Sequence, residues 1–87
     1  MTYTVLWQPA AERQLAALWT ESSDRGDVAA AADAIDDRLR RNPLAQGESR
    51  AGAERILYLH PLVALFAVDE PNRIVYVRAV GLARRPH

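Results

Sequence analysis

An α+β domain, ordered strand, helix, helix, strand, strand, strand, is the fold class this sequence predicts, and three observations predict it. From Arg55 to Gly81 three runs rich in Leu, Ile, Val, Tyr and Phe are separated by His60-Pro61 and by Asp69-Glu70-Pro71-Asn72. Proline fixes φ and Asn or Asp tolerates tight backbone, so both interruptions read as turns and the runs as a three-strand antiparallel meander. Ahead of the meander lie two apolar stripes at helical spacing, and ahead of those a short alternating run. With the first strand placed beside the last, both helices pack on one face of the sheet and the other face stays partly open.

In the first element Tyr3, Val5 and Trp7 alternate with Thr4 and Leu6, and Pro9 follows, a residue suited to the first turn of a helix. Ala11, Leu15, Leu18 and Trp19 then recur at i, i+4, i+7 and i+8, with Glu12, Arg13 and Glu21 on other faces. Trp7 and Trp19 are expected in the core. The stretch Ser22 to Asp27 breaks the period and supplies N-cap residues, after which Val28, Ala31, Ala32, Ile35 and Leu39 form a second stripe. An antiparallel helical hairpin is expected. Asp36 precedes Arg40, and Asp37 precedes Arg41, by four residues, the spacing of a solvated ion-pair face, and Asn42-Pro43 ends the helix. From Leu44 to Ala53 there are two glycines and little periodicity, so this segment reads as a loop, and Arg50 lies in it.

The last apolar run has the clearest alternation. Ile74, Tyr76, Arg78 and Val80 are expected on one side of the pleat and Val75, Val77 and Ala79 on the other, against the helices. The first set carries a tyrosine and an arginine and leads into the tail Leu82-Ala83-Arg84-Arg85-Pro86-His87, so any site is expected on that side. An arginine over a tyrosine binds phosphate or stacks on a base. The competing reading pairs Arg78 with Glu54 or with a partner's carboxylate. Arg55 either faces a ligand or ties down the start of the sheet, and His60, in a turn before proline, reads as structural.

Composition bounds the chemistry. Residues 1–87 read as one small domain, and no apolar run approaches the roughly 20 residues that span a bilayer. The opening residues lack the basic and apolar regions of a secretory signal, and cysteine is absent, so a cytoplasmic location is the expectation. Without cysteine there is no thiolate catalysis, and His60 and His87 are far apart, so neither a metal nor a cofactor is expected. Eleven basic residues balance eleven acidic ones, which argues against strong nonspecific binding to nucleic acid. The balance is uneven along the chain. Up to Pro43 five arginines face seven acids; from Leu44 onward six arginines face four. Every basic residue is arginine, which binds phosphate or stabilises negative charge but is no ready general base.

The ordered set of Tyr3-Thr4-Val5-Leu6-Trp7 before Ala10-Ala11 and Leu15, Ile35 and Leu39 before Asn42-Pro43, Gly47, Arg55-Ile56-Leu57, Phe66-Ala67-Val68, and Arg73 to Gly81 before Arg84-Arg85 resembles the RelE/ParE superfamily of bacterial type II toxins. The resemblance covers nearly the whole chain. It implies two N-terminal helices on a curved antiparallel sheet, growth arrest on expression, and neutralisation by a cognate antitoxin that wraps around the toxin. One branch of the superfamily cleaves mRNA on the ribosome; the other poisons DNA gyrase. Cleavage through the 2′-hydroxyl needs a proton acceptor, cations for the phosphorane and a proton donor for the leaving oxygen. By resemblance Arg55 stands near the basic positions of the first meander strand, and Arg84 near the arginine after the last strand's Val-Gly. With Arg78 they form the cationic candidates, and His87 is the proton-transfer candidate because an unperturbed imidazole titrates near neutrality. Arg50, Tyr58, Tyr76 and Arg85 are candidates for binding nucleic acid or a partner. The chain departs from the active branch in having no lysine, and in Val63 where that branch has a further arginine. The gyrase branch needs only a binding surface. A binding module or degenerate toxin that retains only antitoxin binding is the alternative.

Overall fold

Residues 2–50 and 52–83 are described by a computed structural model. Strand β1 (Thr4–Trp7) runs into helix α1 (Pro9–Glu21) and then helix α2 (Arg25–Arg41). A 3-10 turn (Pro43–Ala45) leads to the two-residue strand β2 (Glu48–Ser49), followed by the meander β3 (Glu54–Leu59), β4 (Leu62–Asp69) and β5 (Ile74–Leu82). The expected order is present, with β2 added inside the segment read as a loop. The five strands form one mixed sheet in the order β1-β5-β4-β3-β2. β1 lies parallel to β5, which a helical crossover permits and a tight turn does not, and the remaining pairs are antiparallel.

Local chemistry sets the helix ends. Pro9 opens α1, where its missing N–H is an orphan position in any case. Helix α1 stops as Ser22 turns extended, and α2 begins at Arg25, earlier than the apolar stripe indicates. There the Asp24 N–H donates to Ser22 Oγ at 3.0 Å, and Val28 N–H closes the first turn onto the Asp24 carbonyl at 3.1 Å. That first turn, Arg25-Gly26-Asp27, faces solvent, so no hydrophobic period marks it. Both expected i,i+4 ion pairs form, Arg40 with Asp36 and Arg41 with Asp37. At the start of β2 the backbone of Gly47 has φ +67°, and a Cβ there would stand 2.2 Å from the Ile56 carbonyl oxygen, so only glycine lets the loop lie this close to β3.

Both helices cover one sheet face. Val28, Ile35 and Leu39 of α2 meet Leu62, Phe66, Val75 and Val77 of the sheet, all fully buried. Each such side chain contributes roughly 1.5–3 kcal/mol relative to exposure. Tyr3 just before β1, and Val5 and Trp7 within it, pack with Leu15 and Leu18 of α1 against this core from its margin.

The alternation expected along β5 holds only for its first half. Phe66 of β4 stands opposite Val77, but Leu65 stands opposite Ala79, so Arg78 is an extra residue in a β-bulge. Beyond the bulge the parity inverts. Val80, expected on the open side, is buried opposite Ala64, and Ala79, expected in the core, shares the open face with Leu65.

Candidate functional site

Directly opposed residues on neighbouring strands project to the same face, so the register defines the open face row by row. One row runs Leu6, Tyr76, Ala67, Glu54; the next runs Ala79, Leu65, Ile56, Glu48; a third runs Gly81, Val63, Tyr58. Most of these side chains are apolar or aromatic. Tyr58 is 57% exposed and Leu6 45%. Arg78 emerges from the bulge between the first two rows, and its Nε lies 3.6 Å from Glu54 Oε2. At the sheet's far edge Arg50 lies 3.7 Å from Glu48, a second ion pair between exposed groups.

Arg55 lies on the other face. It stands opposite Phe66 and Ser49, and its guanidinium is engaged by the loop before β2. Nε donates to the Gln46 carbonyl at 3.0 Å, one terminal nitrogen to Ser49 Oγ at 3.0 Å, and the other to the Gly47 carbonyl at 3.3 Å. The sheet therefore brings Tyr58, Tyr76 and Arg78 to one face and turns Arg55 from them. Arg84, Arg85 and His87 lie outside the described residues. His60 is exposed in the β3–β4 turn, away from these rows. No group of acids and histidines among the described residues is arranged to hold a metal ion.

A second surface lies at the opposite edge. β1 is the terminal strand; Thr4 and Gln8 donate their N–H groups to the Arg73 and Val77 carbonyls, at 2.8 and 2.9 Å. By strand alternation the N–H and C=O groups of Val5 and Trp7 point the other way, into open space. They look onto a groove of about 830 Å³ lined by Leu6, Trp7, Leu15, Ala16, Trp19 and Ala32, with Glu12, Asp33 and Asp36 among its lining residues. Trp19, expected in the core, is 44% exposed in this groove with the Arg25 guanidinium over its ring at 4.8 Å. Trp7 is half-buried against the core as expected, and its Nε1 donates to Asp36 Oδ1 at 3.2 Å. The sequence signals for the groove were Trp19 at the rim of its stripe and the acids beside it, both of which also suit an ordinary amphipathic helix.

No family model matches the sequence, and no curated protein does. Solved structures do. The toxin–antitoxin complex RelBE2 from Mycobacterium tuberculosis aligns with a TM-score of 0.74 over 95% of this chain and 93% of that one, at 21% identity. The chain has the RelE/ParE toxin fold. The chromosomal ParDE system of P. aeruginosa aligns with a TM-score of 0.72 over 94% of this chain and 97% of that one, at 15% identity. For the intact E. coli RelBE complex the TM-score is 0.67, over 95% and 99% of the two chains, at 18% identity. RelE and ParE structures thus fit this chain about equally well over nearly their full lengths. On this RelE/ParE frame the face opposite the helices carries Arg78 with tyrosines and aliphatic residues, and the helix-side edge carries the acidic groove. No helix among the described residues is long and apolar enough to cross a membrane.

Proposed function

We propose that this chain is the toxin of a type II toxin–antitoxin pair, and that it arrests growth in the ParE manner, by binding DNA gyrase rather than by cutting RNA. The observation that carries this reading is the separation of the sheet arginines. Arg55 is held by three loop acceptors on the helix side, while Arg78 stands on the open face paired with Glu54 among Leu65, Ile56, Val63 and two tyrosines. Phosphoryl transfer needs several cations converging on one phosphate. An apolar, tyrosine-bearing face whose described arginines, Arg78 and Arg50, are each paired with an acid is instead the composition of a protein-binding surface.

The solved neighbours RelBE2, ParDE and RelBE are toxin–antitoxin pairs, which supports a cognate antitoxin as the partner here. The unpaired edge of β1 and the groove beside Trp19 are the surface an antitoxin would cover, its backbone completing the sheet edge. Acids in the groove favour an antitoxin segment that carries arginine or lysine.

A second reading, ribosome-dependent mRNA cleavage, is favoured by Tyr76 lying on the face of Arg78, with Arg84 and His87 as the further groups it requires. The test is brief induction without antitoxin, followed by mapping of mRNA 5′ ends and a gyrase supercoiling assay on the purified chain. Arrest with intact messages and impaired supercoiling supports the proposal. Cuts at a fixed place within codons, lost in Arg78→Ala or Arg84→Ala, transfer it to the nuclease branch. Absence of arrest leaves an antitoxin-binding module.

A further inference from the structure

β5 outruns the strand that covers its outer side. The β1 ladder ends with Trp7 beside Val77 and with the Gln8 N–H on the Val77 carbonyl at 2.9 Å. Past that point no strand among the described residues pairs with this side of β5. There Gln14 of α1 reaches the sheet, and its side-chain Oε1 accepts the Val80 N–H at 2.8 Å across 66 residues of sequence. Val80 is the second residue after Arg78, the extra residue of the bulge.

The bulge decides what the open face contains. An unbulged β5 moves every residue past Arg78 one step along β4, so Arg78 would stand opposite Leu65, Val80 would stand opposite Val63 on the open face, and Ala79 would enter the core. A shift accommodated from the other end would set Arg78 opposite Phe66, against the helices. In the observed register Val77 and Val80 both reach the core, and Arg78 is left between the open-face rows, within 3.6 Å of Glu54. Core burial of Val80 favours this register. The Gln14 acceptor meets an amide of β5 that lies past the end of the β1 ladder.

We propose that Gln14 is a positioning residue: by holding the Val80 amide it fixes the β5 bulge, and with it the place of Arg78 as the extra residue that reaches Glu54 between the open-face rows. The functional weight of that place rests on the reading that the open face meets the target. Gln14 is itself exposed, so replacing it leaves the core intact.

The test compares Gln14→Leu, which removes the acceptor at similar size, with Gln14→Glu, which keeps one, in the full isotope-labelled chain. Expected in Gln14→Leu is a rise of about tenfold in hydrogen exchange at the Val80 amide. The Arg78 Nε–H resonance is expected to move toward that of a free arginine, and growth arrest is expected to weaken in Gln14→Leu and in Arg78→Ala alike. Gln14→Glu is expected to restore all three. Faster Val80 exchange with an unmoved Arg78 resonance overturns the proposal, since the contact would then be structural only. Unchanged Val80 exchange in Gln14→Leu overturns it too. If the wild-type chain arrests nothing, the toxin reading fails while the two resonance measurements still decide the role of Gln14.

Discussion

Arg55 and Arg78 sit on neighbouring parts of one sheet yet do opposite work. Arg55 gives three hydrogen bonds to the loop at Gln46–Ser49, each worth about 0.5–1.5 kcal/mol net. Arg55→Ala is therefore expected to lower stability by roughly 1–3 kcal/mol by urea titration, since partial exposure weakens the sum. Arg55→Lys should not restore it, because one ammonium cannot reach three separated acceptors. Arg78, whose contact is a 3.6 Å pair between half-exposed groups, should lose less than about 0.5 kcal/mol on change to alanine. A large loss in Arg78→Ala would refute that division of labour. Gly47→Ala, with φ +67° and its Cβ driven into the Ile56 carbonyl, is expected to destabilise by about 1–3 kcal/mol in the same titration. None of these arginine roles was legible from residue type alone. Arg55 was readable either as a ligand contact or as a tie for the sheet start, and only the register against Phe66 and Ser49 chooses the second.

At the scale of elements, no strand among the described residues pairs with the outer edge of β1, and a groove lies open beside it. Exposed edge strands are usually blunted or covered, and here three acids and an exposed tryptophan lie along the uncovered side. Trp19→Ala is expected to change stability by less than about 1 kcal/mol, because the ring is not in the core. The same change is expected to weaken binding of the antitoxin proposed above by at least about tenfold, as loss of buried aromatic anchors does at interfaces. Calorimetric titration of that antitoxin into both proteins checks it; equal affinities would remove Trp19 and its groove from the interface. Trp19 falls on the apolar stripe of α1 because hydrophobic spacing does not distinguish a side chain in the core from one at the rim of an open groove. The two helices, their ion pairs and the meander were legible because each rests on contacts a few residues apart. Strand β2 was not, because two polar residues carry no period.

For the whole molecule, stability on the order of 0.05–0.15 kcal/mol per residue leaves a chain this short about 4–13 kcal/mol in all. Phe66→Ala, which empties the largest fully buried site, is expected to remove about 3–5 kcal/mol of that. Its thermal unfolding should occur well below that of the wild type, and antitoxin should raise the midpoint again. A ligand present at about a hundred times its Kd adds roughly 2.7 kcal/mol. Calorimetric scans with and without antitoxin check this, and a midpoint indifferent to antitoxin would contradict binding to the folded state.

Sequence by itself determined the order of the two helices and four main strands, the turns at His60-Pro61 and Asp69 to Asn72, and the solvated pairs on α2. Each follows from backbone chemistry or from a periodicity that repeats over a few residues. Tertiary structure alone decided that Arg55 faces the helices, that Trp19 stays in a groove and that Val80 and Ala79 exchange faces. The reason is the period of a strand: one extra residue at Arg78 inverts every side chain after it, and the contact that holds that residue in place, Gln14 to Val80, joins positions too distant in sequence for any local pattern to record.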